Sequence, residues 1–290
     1  MIFLVTALKL EAEPLISFFS LKKDSNTSAF SLYSNENIKL IISGTGKIRA
    51  ALAAGFLLSG CNKNDLSNVL LVNIGICGSS DNRTGDLFSV HKVHDADSKR
   101  DYYPEIFPWL KSKNQIVKHS ESVSFSQSRE ITCVSTPAGE SNRNLSNDKM
   151  LFDMESSGIM EAAAKFLESQ QVLLLKVVSD LLSPETVTPA AIRTLITNKQ
   201  SEIEAYITNA YKQVHLLPKT PQIPSELAKI SANLNFTVSM QYTLEKDIRY
   251  CFASNHDAKK ILADFPIYEV KNKKEAKEAF EKLHAKLRTR

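Results

Sequence analysis

Six short apolar runs between residues 2 and 179 lack the alternation of polar and apolar side chains that a half-exposed strand shows. They are rich in β-branched residues and are bounded by Gly, Asp, Asn or Ser, which is typical of buried strands. Strands that are apolar on both faces need cover on both faces, so the pattern predicts a largely parallel central sheet between two layers of helices. The runs are IFLVTA (2–7), KLIIS (39–43), NVLLVNIGI (68–76), LFSVHKV (87–93), ITCVS (131–135) and VLLLKVVS (172–179).

Helical patterns lie between and after these strands, at residues 46–60, 155–169 and 190–217. A proline-rich stretch, PKTPQIP at 218–224, then marks a linker. Beyond the linker, KEAKEAFEKLHAKL places apolar residues at helical spacing. The sequence therefore predicts an α/β domain at 1–217, a linker at 218–224 and a basic, mostly helical C-terminal extension at 225–290.

Composition narrows the classes of protein that this chain can belong to. At 290 residues and 43% hydrophobic content, the chain can bury a full core. No apolar run approaches the ~18 residues of a membrane span, and the N-terminus does not have the pattern of an export signal. The four cysteines are widely spaced and include no CxxC pair, so we expect reduced thiols, no metal site and a cytoplasmic location.

Charge is unevenly distributed along the chain. Residues 1–217 carry 22 basic and 23 acidic side chains, a net charge of −1, whereas residues 218–290 carry 14 and 9, a net charge of +5. A basic excess of this size is compatible with nucleic-acid binding. However, the sequence shows no interleaving of aromatic residues with the basic ones. We therefore interpret the excess as a solvated helical face, and predict no nucleic-acid partner.

Polar residues collect where the predicted strands end. Glu11 follows the first strand by about one helical turn, Glu155 opens a helix, and Asp180 follows the last strand directly. Two glycine-containing segments, SGTGK (43–47) and NIGICG (73–78), also follow strands, and glycine lets a backbone approach a ligand closely. Ligands of such folds bind beyond the carboxyl ends of the strands, so we expect one site with three carboxylates there.

The ordered motifs resemble those of a known family, the 5′-methylthioadenosine/S-adenosylhomocysteine nucleosidases of the nucleoside phosphorylase and nucleosidase superfamily. The resemblance implies a three-layer α/β/α fold with a mixed central sheet, and a cofactor-free, metal-free homodimeric hydrolase. Such an enzyme would cleave the glycosidic bond of a purine nucleoside or thionucleoside to free base and sugar. The matching stretches are TALKLEAEPL (6–15), SGTGKIRAALAA (43–54), VNIGICG (72–78), GDLFSVHKVHDAD (85–97), DMESSGIMEAA (153–163) and KVVSD (176–180).

The resemblance also implies roles for individual residues. Asp180 looks like the general acid that protonates N7 of the departing purine, with Ser179 orienting it. Glu11 looks like the carboxylate that positions and deprotonates the attacking water. Glu155 resembles the residue that binds the ribose hydroxyls, and Met154 the one that packs on the sugar. Cleaving an N-ribosidic bond builds positive charge on the sugar and negative charge on the base, so an acid and a base on opposite sides suit this chemistry.

Four further residues are assigned to substrate binding. Ile76 stands where the nucleosidases have a serine, and Gly78 lies in the same glycine segment. Gly139 lies in VSTPAGESN (134–142), where the family has an aromatic residue that stacks on adenine. Tyr103, with Tyr102 beside it, lies where the family has a loop that reaches into the neighbouring subunit's site. By contrast, His94, Asp97 and Lys47 are interpreted as structural or surface residues, and Asp95 receives no role.

Three alternatives remain open on the sequence. Phosphorylases of the superfamily hold phosphate with an arginine and a serine in the stretch that here carries Asn73 and Ile76, so hydrolysis is favoured over phosphorolysis. The altered base-reading loop is compatible with a different or larger substrate, such as a futalosine-type nucleoside. The third alternative is a non-catalytic nucleoside-binding or regulatory module that docks through its basic extension.

Overall fold

The structure is a computed structural model of the chain. It describes residues 1–25, 29–81, 83–104, 128–139, 142, 150–216, 223–254 and 256–288. The chain divides into two compact units, Met1–Leu217 and Pro218–Arg290. The linker predicted at 218–224 lies mostly outside the described residues.

The first unit consists of strands and helices in alternation. Its strands are β1 (Ile2–Thr6), β2 (Lys22–Lys23), β3 (Ser31–Ser34), β4 (Ile38–Ile42), β5 (Leu70–Ser79), β6 (Leu87–Asp95), β7 (Asp101–Tyr102), β8 (Ser128–Cys133), β9 (Leu151–Asp153) and β10 (Val172–Asp180). Its helices are α1 (Lys9–Phe18), α2 (Lys47–Ser59), α3 (Lys63–Leu66), α4 (Ser156–Ala163) and α5 (Pro189–Leu216).

All described strands join one mixed sheet. Strand β5 pairs in parallel with β1 on one side and with β10 on the other. From β10 the pairing continues through β6, β8 and β9 and returns to β5, so these five strands close a ring. On the other side, β1 pairs with β4, and β3 and β2 follow as an antiparallel edge. The mixed central sheet that the resemblance implies is confirmed. The expectation of a largely parallel sheet is wrong, because five of the ten described strand pairings are antiparallel.

Helices cover both faces of this sheet, as the unbroken apolar strands require. On one face, α2 and α4 bury small and branched side chains, including Ala53, Leu57 and Ile159, against the sheet. On the other face, α1 and α5 pack residues such as Leu15 and Tyr206 against the opposite sides of the same strands. The three-layer α/β/α arrangement is therefore also confirmed.

The structure departs from the sequence expectation in three places. Helix α1 begins directly after β1, although it contains Pro14 and no helix was expected before residue 46. Strand β9 is only three residues long, too short for a periodic signal. Helix α4 ends at Ala163 rather than at 169, because Lys165 and Phe166 donate to the carbonyls three residues back, which tightens the chain into turns.

The second unit contains α6 (Ser225–Asn233), α7 (Val238–Ala253), α8 (Ala258–Ala263) and α9 (Lys273–Arg288), and these pack around an apolar core of their own. The outer face of α7 exposes Tyr242 and Tyr250, and Lys246 lies 4.5 Å from the ring centre of Tyr242. Folding thus brings aromatic and basic side chains together on one helical face. Their spacing of four residues indicates one helical face, so the statement that the sequence shows no interleaving of aromatic and basic residues is wrong for α7.

Two expectations from composition concern membranes and thiols. Across the described helices, no segment has both the length and the apolar character that spanning a bilayer would need. All four cysteines are free thiols; Cys77, Cys133 and Cys251 are buried, and Cys61 is partly exposed. Burial raises the pKa of the Cys133 thiol to about 12, so this thiol is inert near neutral pH.

Candidate active site

A cavity of about 290 Å³ lies where β1, β5 and β10 end, beside the starts of α1 and α4. Glu11, Glu155 and Asp180 all line it. These residues are far apart in the sequence. Parallel pairing of β1, β5 and β10 places Glu11 and Asp180 at the same end of the strands, and pairing of β9 with the end of β5 brings Glu155 there. Each side chain is buried, with 2–7% of its residue surface exposed. The three predicted acidic residues thus line one cavity, and Asp153 lines it as well.

Glu11 is held by three backbone N–H groups. Its Oε2 accepts from Ala7 (3.0 Å) and Leu8 (2.8 Å), which is the capping of a helix N-terminus by its third residue. Its Oε1 accepts from Ile76 of β5 at 2.9 Å. A carboxylate offers about four acceptor directions, so one stays available to a ligand in the cavity. Desolvation raises the pKa of Glu11 despite these hydrogen bonds, which makes it a stronger base than an exposed glutamate.

Glu155 lies at the start of α4, where it is the residue before the first helical turn. Its Oε1 accepts a hydrogen bond of 2.9 Å from the backbone N–H of Gly46, the residue that precedes α2. Gly46 has φ +100°, a backbone conformation that glycine adopts freely. Burial raises the pKa of Glu155 to about 7, and the Lys176 charge and the Gly46 N–H oppose that rise. Glu155 therefore changes between its neutral and its charged form close to neutral pH.

Asp180 ends β10 at a β-bulge. Val178 pairs with Cys77 and Asp180 with Gly78, so Ser179 is an extra residue between two matched positions. The Ser179 hydroxyl donates to Asp180 Oδ2 at 2.7 Å, and the Ser183 N–H donates to Oδ1 at 2.9 Å. Both carboxyl oxygens are thereby fixed in direction, and Asp180 caps the turn that follows it as well as lining the cavity.

A buried cation that the sequence did not point to lies behind the cavity wall. Lys176 of β10 is fully buried, and its Nζ lies 2.7 Å from Asp153 Oδ2. Burial lowers the pKa of a lysine, but the surrounding carboxylates, led by Asp153, outweigh that effect and raise the pKa of Lys176. A Cβ at Gly75 would lie 3.0 Å from Glu11 Oε1 and 3.6 Å from Lys176 Nζ, so a glycine there leaves room for both groups.

The remaining wall of the cavity is mostly apolar. Met154 and Ile76 line it beside the carboxylates, and Ser179 and Gly78 line it beside Asp180. For Ile76 the useful polar group is the backbone N–H that holds Glu11, which a comparison of side chains does not reveal. The other apolar lining residues are Ala7, Leu8, Cys77, Val134, Pro137, Ala138, Phe152, Pro184, Val187 and Ile192.

Two of the predicted binding residues are not among the residues that line this cavity. Gly139 follows the lining residue Ala138, and a Cβ built on it would meet no atom within 4 Å. The next two residues of the predicted base-reading loop, 140 and 141, lie outside the described residues. Tyr103 is 61% exposed and donates weakly to Asp101 at 3.5 Å. Within its own chain, Tyr103 therefore does not contribute to the site.

The side chains of the HDAD stretch (94–97) take part in a network of ion pairs. Lys47, which the sequence analysis interpreted as a surface residue, is ion-paired: its Nζ lies 2.7 Å from Asp95 Oδ2 and 2.6 Å from Asp97 Oδ2. His94 contacts Asp101 at 2.7 Å. Within the described ranges, no group of three or more His, Cys, Asp or Glu side chains is arranged to hold a metal ion.

Comparison with solved structures finds several of the same fold. The 5′-methylthioadenosine nucleosidase of Arabidopsis thaliana is 20% identical, with a TM-score of 0.55, over 73% of this chain and 95% of that one. The 5′-methylthioadenosine/S-adenosylhomocysteine nucleosidase of Helicobacter pylori, bound to butyl-thio-DADMe-Immucillin-A, is 12% identical, with a TM-score of 0.54, over 72% and 97%. Futalosine hydrolase of Helicobacter pylori is 13% identical, with a TM-score of 0.51, over 73% and 97%.

No protein-family model matches the sequence, and no curated protein matches it. By its fold, the chain is a mixed α/β protein of the same architecture as these solved structures. Within that class its fold is that of the 5′-methylthioadenosine/S-adenosylhomocysteine nucleosidases, as the sequence motifs predicted. At these identities the likeness establishes the fold.

Proposed function

We propose that the chain is an N-ribosyl hydrolase that cleaves the glycosidic bond of a purine nucleoside or thionucleoside. The observation that carries the proposal is the convergence of Glu11, Glu155 and Asp180 on one cavity. Its volume of about 290 Å³ is near the lower end of the ~300–1,000 Å³ that small-molecule sites occupy. The fold that the chain shares with nucleosidases is consistent with this chemistry.

The leaving base needs an acid, and Asp180 is placed to supply it. As the bond between C1′ and N9 breaks, the electron pair moves into the purine, and Asp180 delivers a proton to N7. The Ser179 hydroxyl and the Ser183 N–H fix the two oxygens of this carboxyl, which restricts the directions in which it can donate. A positioned acid of this kind contributes about 10²–10⁴-fold in rate.

The attacking water needs a base, and Glu11 is placed to act as one. Its raised pKa increases its affinity for the proton that water loses as the oxygen adds to C1′. Three backbone donors hold the carboxylate still and leave about one acceptor direction for the water. Glu155 then accepts from the sugar hydroxyls while Met154 packs on the ring, and both line the same cavity.

Hydrolysis fits this cavity better than phosphorolysis does. None of the described residues that line it is lysine, arginine or histidine. Four acidic residues line it instead, so a phosphate dianion in the cavity would lack a cationic partner in the wall and would be repelled. Water carries no charge and meets no such barrier.

The proposal names the base and the 5′ substituent of the substrate only by chemical class. A methylthioadenosine- or adenosylhomocysteine-like substrate fits the apolar wall, where Pro184, Val187 and Ile192 would contact a thioether. A futalosine-type nucleoside is the second candidate. It is favoured by Gly139, which stands where the family has a ring and whose added Cβ would meet none of the described atoms within 4 Å, and by the shared fold with a futalosine hydrolase.

The proposal includes a homodimer that forms through α2. Ile48, Leu52 and Phe56 lie on successive turns of this helix and are 75%, 62% and 39% exposed. Three large apolar side chains in one stripe are more than a solvated helix needs. Tyr102 borders the same groove as Ile48, so the Tyr102–Tyr103 segment lies where a second copy would meet it. A cytoplasmic location fits the free thiols and is part of the same proposal.

The dimer is tested by light scattering coupled to gel filtration. Leu52→Asp should convert a dimer to a monomer, because it places a charge at the centre of the stripe. Ile267→Asp is the matched control, since Ile267 is 52% exposed in the second unit. A wild-type monomer, or equal dissociation by both variants, would contradict this part of the proposal.

The enzymatic proposal is tested by incubating the protein with methylthioadenosine, adenosylhomocysteine, inosine and futalosine, with and without phosphate. Free base is then measured by chromatography. We expect release without phosphate, abolished by Asp180→Asn and reduced about 10²–10⁴-fold by Glu11→Gln. The matched control is Glu13→Gln, on the same helix, since Glu13 pairs at the surface with Arg193 and Lys9. Strict phosphate dependence would select a phosphorylase, and no release from any substrate would favour a binding module.

A further inference from the structure

The starts of α2 and α4 are packed against each other at the backbone level. A Cβ added to Gly158, in the first turn of α4, would lie 1.9 Å from the carbonyl oxygen of Lys47, the first residue of α2. One residue before Lys47, the Gly46 N–H donates to Glu155 Oε1 at 2.9 Å. The position of the Glu155 carboxylate therefore depends on how α2 meets α4.

A chain of polar contacts spans the same junction outside the cavity. Lys47 Nζ lies 2.7 Å from Asp95 Oδ2 at the end of β6, and that same oxygen accepts a hydrogen bond of 2.6 Å from the Ser157 hydroxyl of α4. Asp95 is 4% exposed, and its other oxygen accepts from the backbone N–H groups of Asp97 and Ser98. The residues named here do not line the cavity of the carboxylates. They line the neighbouring groove of about 470 Å³, together with Arg100 and Glu161.

We propose that Lys47, Asp95 and Ser157 form a clamp that holds α2 against α4, so that the Gly46 N–H stays on the Glu155 carboxylate. Asp95 is the fixed centre of the clamp, because β6 carries it and it binds one helix through Lys47 and the other through Ser157. These three are positioning residues, and they act on the substrate only through Glu155. The clamp rests on the proposed function only for its effect on sugar binding.

The charge state of Lys47 and Asp95 supports a permanent clamp. Burial opposes ionisation of Asp95, but hydrogen bonds from Lys47 and Ser157 outweigh it and hold the pKa of that carboxyl well below its usual range. Burial likewise opposes the charge of Lys47, and its contacts with the two aspartates raise the pKa of Lys47. Both partners stay charged throughout the neutral range, so the clamp does not open as Glu155 titrates.

The titration of Glu155 reports whether the Gly46 N–H is in place. The groups that act on the Glu155 carboxylate are the Lys176 cation of β10, the Asp153 and Glu11 carboxylates, and the Gly46 N–H of the α2 start. Of these, only the Gly46 N–H depends on the clamp. Losing a hydrogen bond that stabilises the charged form should raise the pKa of Glu155 above its value of about 7, by about one unit.

The test is a ¹³C NMR titration of the glutamate carboxyls in the full-length, ligand-free protein, with the Glu155 signal assigned by its loss in Glu155→Gln. Ser157→Ala removes one arm of the clamp without changing any charge, and we expect the pKa of Glu155 to rise by about one unit. Ser135→Ala is the matched control, because the Ser135 hydroxyl donates to Asp97 and makes no link to α4. We expect no shift in Ser135→Ala.

A second variant separates the effect of displacing the Gly46 N–H from the effect of changing a nearby charge. Asp95→Ala deletes a negative charge near Glu155, so electrostatics alone predicts a lower pKa for Glu155, whereas loss of the clamp predicts a higher one. An unchanged or lowered pKa in both Ser157→Ala and Asp95→Ala, or an equal rise in Ser135→Ala, would overturn the clamp. If Asp95→Ala does not fold, Ser157→Ala alone decides the outcome.

The titration needs no substrate, so it is independent of whether the protein is a nucleosidase. If the protein releases free base, Ser157→Ala should raise KM by about tenfold while changing kcat less, because a misplaced Glu155 weakens the hold on the sugar. If the pKa of Glu155 rises in Ser157→Ala as expected but no nucleoside releases free base, the result supports the clamp and counts against the proposed function.

Discussion

Replacing Lys176 with Met should destabilise the first unit more than any single surface charge does. Lys176 has no exposed surface, and its Nζ lies 2.7 Å from Asp153 Oδ2. Removing the lysine leaves Asp153 as a buried charge without a cation, next to a cavity that already holds Glu11 and Glu155. Breaking a buried pair in this way typically costs about 3–5 kcal/mol.

The size of the effect should depend on pH. Lys176 lowers the pKa of both Glu11 and Glu155, so its loss raises both values further. A carboxyl whose pKa is raised in the folded state destabilises the fold once the pH exceeds its unfolded value, and the cost grows until the pH passes the folded value. Lys176→Met should therefore be less destabilised at pH 5 than at pH 8.

The measurement is the free energy of unfolding from denaturant titrations at the two pH values. A loss of about 3–5 kcal/mol corresponds to a fall in Tm of about 6–20 °C for a unit of this size. The double variant Lys176→Met/Asp153→Asn removes both charges and should recover most of the loss. Lys92→Met is the control, since Lys92 pairs with Glu130 at the surface and should matter little. A loss below about 1 kcal/mol, or one independent of pH, would refute the reasoning.

Two further predictions follow from the same region. Because the pKa of Glu155 is raised from 4.5 to about 7, its burial should weaken folding by about 3 kcal/mol as the pH rises between these values; pH-dependent unfolding should show this dependence, and Glu155→Gln should flatten it. Gly158→Ala should cost about 3 kcal/mol or more, because its Cβ would meet the Lys47 carbonyl oxygen at 1.9 Å. Gly55→Ala, on the same helix as Lys47 but with nothing within 4 Å of the new Cβ, should instead stabilise by about 0.5–1 kcal/mol. Equal effects of the two glycine substitutions on thermal unfolding would contradict the packing argument.

The sequence predicted the long buried strands well, because an apolar run such as VLLLKVVS is too short for a buried helix and too apolar for an exposed loop. It missed β9, since three residues cannot display a period. It also missed α1, where Pro14 and three charged residues obscure the helical pattern. Short elements are defined by their partners in the sheet, and those partners lie far away in the chain.

The sequence pointed to the three acidic residues of the candidate site but not to the buried lysine behind it. Glu11, Glu155 and Asp180 stand at strand ends, where position along the chain indicates position in space. Lys176 interrupts an apolar run, and nothing local shows that β10 carries it to Asp153. The same holds for Lys47, whose partners Asp95 and Asp97 lie at the end of β6 and just beyond it, about 50 residues further along the chain. Composition predicts that a buried charge needs a partner, but only the folded topology identifies the partner.

The bulge in β10 makes the number of residues at the end of this strand as important as their type. Val178 and Asp180 take adjacent partners on β5, with Ser179 inserted between them. A substitution at 179 would keep Asp180 paired with Gly78. A deletion at 179 would shift every later residue by one place and move the Asp180 carboxyl away from the cavity. Homologous chains that keep Asp180 should therefore also keep the number of residues in this bulge.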